Sequence, residues 1–344
     1  MQNYLNQDTQ NQMLNSTTSA ADRRKVYAAI LKNNCVIRYR SLNHRQKVIS
    51  AIRKGRLYFS TALGYNDLYD TLMYIDYDVL LGYIDGCIAK CMPSYLNEKV
   101  QKKEITKELA TRLLTCSRMK RNEFLKYIKE NIDSLKKDLR DNIKGICFSA
   151  DLLSSLMWSH YADNHKGIAL LYDKKELTTA IACNSSNKEL EDTFQLCEVK
   201  YKEQRIDATQ FVSDYYLRLH AEHMGLLKAP FGIPASYPTP DMEIAKEIIL
   251  TKSTAWSYEK EYRLIPSNLN FEKPNDIKYL EIFPKAIVMG AQISSKNQKL
   301  IWSLADKQQI PLYEIWLNES QQDYNLVFQQ VNNVNVVEPL TCID

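Results

Sequence analysis

The sequence lacks the short motifs of the commonest nucleotide and acyl chemistries. It contains no G-x-x-x-x-G-K-[ST] phosphate loop, no G-x-G-x-x-G fingerprint and no G-x-S-x-G elbow, which excludes phosphate-loop hydrolysis, Rossmann-type cofactor binding and α/β-hydrolase chemistry. Eight cysteines, at positions 35, 87, 91, 116, 147, 183, 197 and 342, show no C-x-x-C spacing, so no metal is expected. Scattered free cysteines, with Cys35, Cys147 and Cys197 inside apolar runs, fit a reducing cytoplasm. No apolar run approaches the ~20 residues that span a bilayer, and no basic start precedes an apolar signal core. Neither membrane insertion nor secretion is expected, and the expected location is cytoplasmic.

Charge is equally undistinguished in total. Lys and Arg number 45 against 41 Asp and Glu, a net +4 over 344 residues, too little to argue for nucleic acid. Residues 1–19, MQNYLNQDTQNQMLNSTTS, are polar and nearly uncharged and read as a flexible tail. The remainder, 20–344, reads as one α+β domain.

What is present is an irregular interleaving of helices and short strands. Ala20–Asn33 reads as a helix, CVIRYR (Cys35–Arg40) as a strand, and Val48, Ile49 and Ile52 mark a helix capped by Ser41 or Asn43 and ended by Gly55. RLYFST, KGICFS, GIALLYD, CEVKY, YRLI, KYLEI, AIVMG, YEIW and NLVF read as strands, and helices are expected near 153–162, 208–227, 241–255 and 296–305. The prolines of APFGIPASYPTP forbid regular structure. Residues 71–142 form a helical insertion, with Phe124, Leu125, Ile128, Ile132, Leu135 and Leu139 at helical spacing. Between Glu98 and Lys144, 14 basic residues face 8 acidic ones, a balance of +6; this is either a solvated face or a surface for nucleic acid or an acidic partner. Without a regular βαβ repeat, a mixed or split central sheet is expected rather than a doubly wound one.

Four blocks concentrate costly polar groups at strand ends: IRYRS, LYFSTALGYND, MWSHYADNHKG and WSYEKEYRLI. Arg38 and Arg40 share one face of the first strand, and an Arg there needs an anion or a partner; Arg40, at the strand end, is the candidate. Tyr58 and Ser60 share a face of the second strand, followed by Thr61 and a loop holding Asn66 and Asp67, which forms either an Asx-type turn or part of a site. In the third block Trp158 is either core or a stacking platform. His160 and His165 are five apart without the Glu of a zinc-protease helix, and they either tie the loop or act with Tyr161 and Lys166 on a substrate. Glu259, Glu261 and Arg263 alternate into a strand, either as an ion-pair ladder on a solvated face or as carboxylates that stabilise an oxocarbenium-like transition state.

In this order, from about Asn34 to about Gly290, the four blocks resemble a bacterial family known as domain of unknown function 2971, which shares a YR strand, an LYFS-then-ND loop, an MWSHYA-HKG block and a W-YE-EYR block. Many relatives read NDP in the second loop, whereas this chain reads Asn66, Asp67, Leu68, Tyr69, Asp70. The first, second and last blocks also resemble, remotely, the ADP-ribosyltransferase pattern. That resemblance implies a split-sheet transferase fold and NAD as substrate. Arg40 would hold its phosphate or ribose. Tyr58, Ser60 and Thr61, with Asn66 and Asp67 beside them, would shape the nicotinamide pocket. Glu261, in the Glu259-Lys260-Glu261 arrangement, would polarise the ribose and stabilise the developing cation. The third block has no counterpart in that pattern; as a family-specific wall of the pocket, its Trp158, His160, Tyr161, His165 and Lys166, with Arg263, are expected to contact the substrate. The expectation is an NAD-consuming toxin or anti-phage effector with a macromolecular target. The alternatives are a non-catalytic nucleotide- or phage-component-binding adaptor of a defence system, and a hydrolase or nuclease using His160 and His165.

Overall fold

Alternating β-branched and aromatic residues in CVIRYR build strand β1 (Cys35–Arg40), the middle of the main sheet in a computed structural model of the chain. The structure describes residues 34–223, 241–268, 276–317, 322, 324 and 326–331. The expected N-terminal tail and the helix 20–33 lie outside these residues, as does the proline-containing segment 229–240.

After β1, Ser41 accepts the Asn43 N–H and helix α1 (Arg45–Lys54) buries Val48, Ala51 and Ile52. Gly55, at φ +62°, ends it. The RLYFST run then divides at Phe59 into β2 (Arg56–Tyr58) and β3 (Ser60–Thr61). Two long helices follow, α2 (Tyr77–Gln101), capped by Asp76, and α3 (Lys107–Asn142). Next come β4 (Lys144–Ser149), α4 (Ser155–Tyr161), β5 (Ile168–Asp173), α5 (Lys174–Thr179), β6 (Ile181–Asn184), β7 (Glu189–Leu190), β8 (Phe194–Glu198) and β9 (Lys200–Lys202). The chain continues through α6 (Thr209–His223), α7 (Met242–Ile249), β10 (Thr251–Ser253), β11 (Glu261–Pro266), β12 (Ile277–Glu281), β13 (Ala286–Met289), α8 (Ser295–Gln308), β14 (Leu312–Leu317) and β15 (Leu326–Gln330).

The architecture is α+β with a mixed sheet. Among the described residues nine strands form the main sheet in the order β15-β14-β13-β5-β1-β4-β11-β8, with β3 paired to β4 off this path. The β13–β14 pairing is parallel and the others are antiparallel. A second sheet runs β2-β12-β6-β7. Thus Phe59 is where the chain changes sheets. CEVKY likewise divides at Val199, because β8 pairs β11 while β9 pairs β10 in parallel. The helix expected over 241–255 stops at Ile249. Beyond Leu250, Thr251 pairs with Lys200 and the Ser253 hydroxyl caps the 3-10 turn Thr254–Glu259; β-branched Thr251 and the local caps of Ser253 override helix continuation.

Four apolar clusters among the described residues hold these elements, the smallest around Ile143, Ile249 and Ile265. One joins the main sheet to α1, α8 and the second sheet through Ile52, Tyr172, Leu280 and Ile301. Another packs α2, α3, α6 and α7 through Leu80, Met92, Ile128, Val212 and Ile248, so the helices within 71–142 join C-terminal elements. The third seats Trp158 against Tyr39 on the sheet, with ring centroids 5.1 Å apart and edge on.

A tight turn sets the end of β1. Asp163, Asn164 and His165 all have positive φ, 53°, 51° and 66°, and the turn delivers Gly167 against the backbone of Arg40. A Cβ on Gly167 would stand 2.2 Å from the Arg40 carbonyl oxygen, and one on Gly290 would stand 2.1 Å from that of His165. Backbone fills both spaces, so Gly167→Ala is expected to cost about 1–3 kcal/mol by overpacking. A lowered urea midpoint checks this, and an unchanged midpoint contradicts it.

Candidate functional site

β1 and β4 pair through Ile37 and Ser149 and then separate. Where they part lies a cavity of about 220 Å³, lined from β1 by Ile37–Arg40 and from β4 by Cys147–Ser149; Ser60, Tyr65, Asn66, Asp70, Tyr161, Lys252, Glu259 and Glu261 complete much of its wall. Segments distant in sequence meet here because β3 and β11 both pair with β4.

One wall is a buried network of three carboxylates and two cations. Arg263, 0 % exposed, donates from Nη1 and Nη2 to the two oxygens of Asp70 at 2.8 and 2.6 Å. Its Nε reaches Glu261 Oε1 at 2.8 Å and its Nη1 also bonds the Ile249 carbonyl at 2.6 Å. Lys252 Nζ lies 2.6 Å from Glu259 Oε2, 3.4 Å from Glu261 Oε2 and 3.7 Å from Asp70 Oδ2. The Tyr161 hydroxyl donates to Glu259 Oε1 and accepts from Asn66 Nδ2 at 2.6 Å. The Ser149 hydroxyl donates to the Glu259 carbonyl at 2.7 Å, and the Tyr201 hydroxyl accepts the Glu261 N–H at 2.9 Å.

This network separates the two glutamates electrostatically. Burial alone would raise the Glu261 carboxyl, but Arg263 and Lys252 outweigh it and hold it down at about 2. For Glu259 burial wins over the bonds from Lys252 and Tyr161, and its carboxyl lies above the ordinary range. Burial opposes the charge of Lys252 as well, yet Glu261, Glu259 and Asp70 push its ammonium up to about 12. A permanently ionised carboxylate beside one more readily protonated is the division of labour used in general acid–base sites.

The other wall is cationic. Arg38 is 7 % exposed, and burial, with Arg40 beside it, pushes its guanidinium down to about 9. It donates to the Tyr58 carbonyl at 3.2 Å from Nη2. Its Nε and Nη1, and the hydroxyls of Tyr65 and Tyr172, are buried without a protein partner.

Residues 157–264 match the family described as protein of unknown function (DUF2971). Comparisons with curated proteins and with solved structures returned no match. The DUF2971 segment carries the third and fourth blocks, and so Tyr161, Lys252, Glu259 and Glu261 of the cavity wall, while Arg38, Arg40, Ser60 and Asp70 precede it.

Of the residues singled out in the sequence, Arg40, Ser60, Asn66, Tyr161, Glu259 and Glu261 line the cavity. Several others do not. Tyr58 packs on Tyr279 at 5.7 Å and shares a hydrogen bond with Ser50, because β2 belongs to the second sheet. Thr61 pairs with Lys144 in β3. Asp67 closes an Asx turn on the Tyr69 N–H at 2.9 Å. Trp158 is 0 % exposed, its indole N–H bonding the Leu152 carbonyl at 2.7 Å, as the core alternative for it has it. Arg263 is likewise interior, so its partners are carboxylates of this chain rather than substrate. His165 stacks on Trp158 at 6.3 Å, and burial lowers its imidazole. His160 lies 6.0 Å from Tyr258 and Lys166 is exposed; none of these three lines the cavity. The block MWSHYADNHKG thus builds the turn behind Arg40 and gives the cavity Met157 and Tyr161. Glu259 and Glu261 share a wall, but not by strand alternation: Glu259 ends a 3-10 turn and Lys260 is left-handed at φ 45°.

Sequence reasoning passed over Asp70, Lys252, Tyr65 and Cys147, and set Arg38 second to Arg40. Asp70 follows the NDLY turn, and Lys252 sat inside an expected helix. The signal for Arg38 was its place on the same strand face as Arg40.

Two outcomes test the network. Arg263→Met leaves Asp70 and Glu261 buried without their cation and is expected to cost about 3–5 kcal/mol in urea unfolding. Glu261 lies below its ordinary value of 4.5 when folded, so its stabilisation is complete above that pH and is lost as pH falls toward about 2. The gap in thermal midpoint between wild type and Glu261→Gln therefore narrows over that window, and a gap constant with pH contradicts the assignment.

Proposed function

We propose that the chain is an NAD-consuming, ADP-ribosyltransferase-like enzyme acting on a macromolecular target as a toxin or defence effector. The observation that carries this reading is the convergence of Arg40, Ser60 and Glu261 on one cavity where β1 and β4 part, the arrangement expected of a split-sheet transferase. A volume of about 220 Å³ is below the ~300–1,000 Å³ of sites that enclose drug-sized ligands, so the cavity receives one end of the dinucleotide. Its charge is asymmetric, with guanidinium groups for phosphate on one wall and carboxylates for ribose on the other.

In the proposed reaction the glycosidic C–N bond breaks, nicotinamide leaves with the bonding electrons, and positive charge develops on the ribose. Glu261, ionised at any working pH, stabilises that charge. Glu259, whose carboxyl burial raises above the ordinary range, accepts the proton of the attacking nucleophile as the new bond forms.

A specific observation favours a second reading. Arg263 and Lys252 engage both oxygens of Glu261, which suits a nucleotide-binding sensor that performs no chemistry. Incubation with NAD separates the two. Transfer predicts nicotinamide release that falls at least 100-fold in Glu261→Gln, whereas NAD binding with no release, or release untouched by that substitution, overturns it.

A further inference from the structure

Arg38 is the least satisfied charge of the described interior. A guanidinium has five N–H donors; one bond of Arg38 is accounted for, by the Tyr58 carbonyl, and the Nε and Nη1 groups have no protein acceptor. Its guanidinium carbon lies 5.8 Å from the Phe148 ring centroid, a contact that supplies no anionic partner. Arg40, two residues along the same strand face, makes no ion pair with a described residue, and its charge further disfavours that of Arg38. Burying an unpaired cation costs several kcal/mol, and here two stand together in one cavity. Tyr172 and Tyr65 both act electrostatically on Arg38, and both hydroxyls are buried without a hydrogen-bond partner; of the two, Tyr65 lines the cavity. Burial keeps both phenols protonated, and so able to donate. By contrast, the carboxylates of the opposite wall are occupied by Lys252 and Arg263 and offer Arg38 no ion pair.

We propose that Arg38 and Arg40 together bind a phosphate group carrying two negative charges, a phosphate monoester or a diphosphate, with the hydroxyl of Tyr65 as a further donor. A compact tetrahedral oxyanion matches the donor set, because several oxygens accept at once from converging N–H and O–H groups. This site does not depend on the transfer reading: a phosphate held here serves a transferase, a sensor or any other use of the cavity. It makes Arg38, not only the strand-end Arg40, the principal contact.

Calorimetric titration at low ionic strength with inorganic pyrophosphate and inorganic phosphate, against matched chloride, tests it, together with thermal unfolding of the same samples. Wild type is expected to bind pyrophosphate and unfold at higher temperature in its presence. Arg38→Met removes an unpaired buried charge, so the protein is expected to be at least as stable without ligand while pyrophosphate binds about 10- to 100-fold more weakly. Should Arg38→Met not fold, Tyr65→Phe, which deletes one donor, is expected to weaken binding about 3- to 10-fold. No pyrophosphate effect beyond chloride in wild type overturns the proposal, as does equal affinity in these variants. Pyrophosphate binding without nicotinamide release upholds the oxyanion site while removing the transfer reading; release unaffected by Arg38→Met does the reverse.

Discussion

The guanidinium of Arg263 joins three segments that are far apart in sequence. It grips Asp70, which follows the loop after β3, bonds the carbonyl at the end of α7, and holds Glu261 at the start of its own strand. Each contact is fully buried, where an uncompensated charge is far costlier than at the surface. The result is that the loop after β3, the end of the helical layer and the sheet have one common register. Lys252 repeats the device one layer out, bridging Glu259, Glu261 and Asp70. Two cations thus hold three carboxylates in one buried wall of the cavity.

Across the cavity the balance is reversed. Arg38 and Arg40 lie on β1, whose carbonyl at Arg40 is packed against Gly167 by the left-handed turn Asp163–His165. The MWSHYADNHKG block therefore acts on the site from behind: it fixes the end of β1 and contributes the Tyr161 hydroxyl that orients Glu259. A cavity with anchored cations on one side and anchored anions on the other suits a ligand that is itself polarised, with phosphate at one end and hydroxyls at the other.

Much of the fold was legible because its signals are local. β1, β4, β5 and β11 alternate or run apolar, and the helices around Val48, Ile132 and Ile301 show an apolar face; all form as the pattern implies. What the pattern concealed is where one run serves two sheets. RLYFST and CEVKY read as single strands, yet Phe59 and Val199 are points of transfer, decided by which partner strand is near rather than by propensity. Lys252 was hidden for a similar reason, since the apolar face of α7 runs up to a tertiary pairing with β9 that ends it. In the site, Arg40, Ser60, Glu259 and Glu261 were legible as polar residues at strand ends. Trp158 was conspicuous for the opposite reason, being the largest interior side chain beside a strained turn. Asp70 and Arg263 needed the three-dimensional pairing, because an ion pair across 193 positions leaves no mark in local sequence.

The central claim is that the Arg38–Arg40 wall and the Glu259–Glu261 wall hold one ligand between them. A crystal structure of the Glu261→Gln variant with NAD addresses it most directly. The account predicts phosphate oxygens within hydrogen-bond distance of Arg38 or Arg40 and a ribose hydroxyl within hydrogen-bond distance of residue 261 in the same molecule. NAD bound elsewhere, or lying against one wall alone, would contradict it.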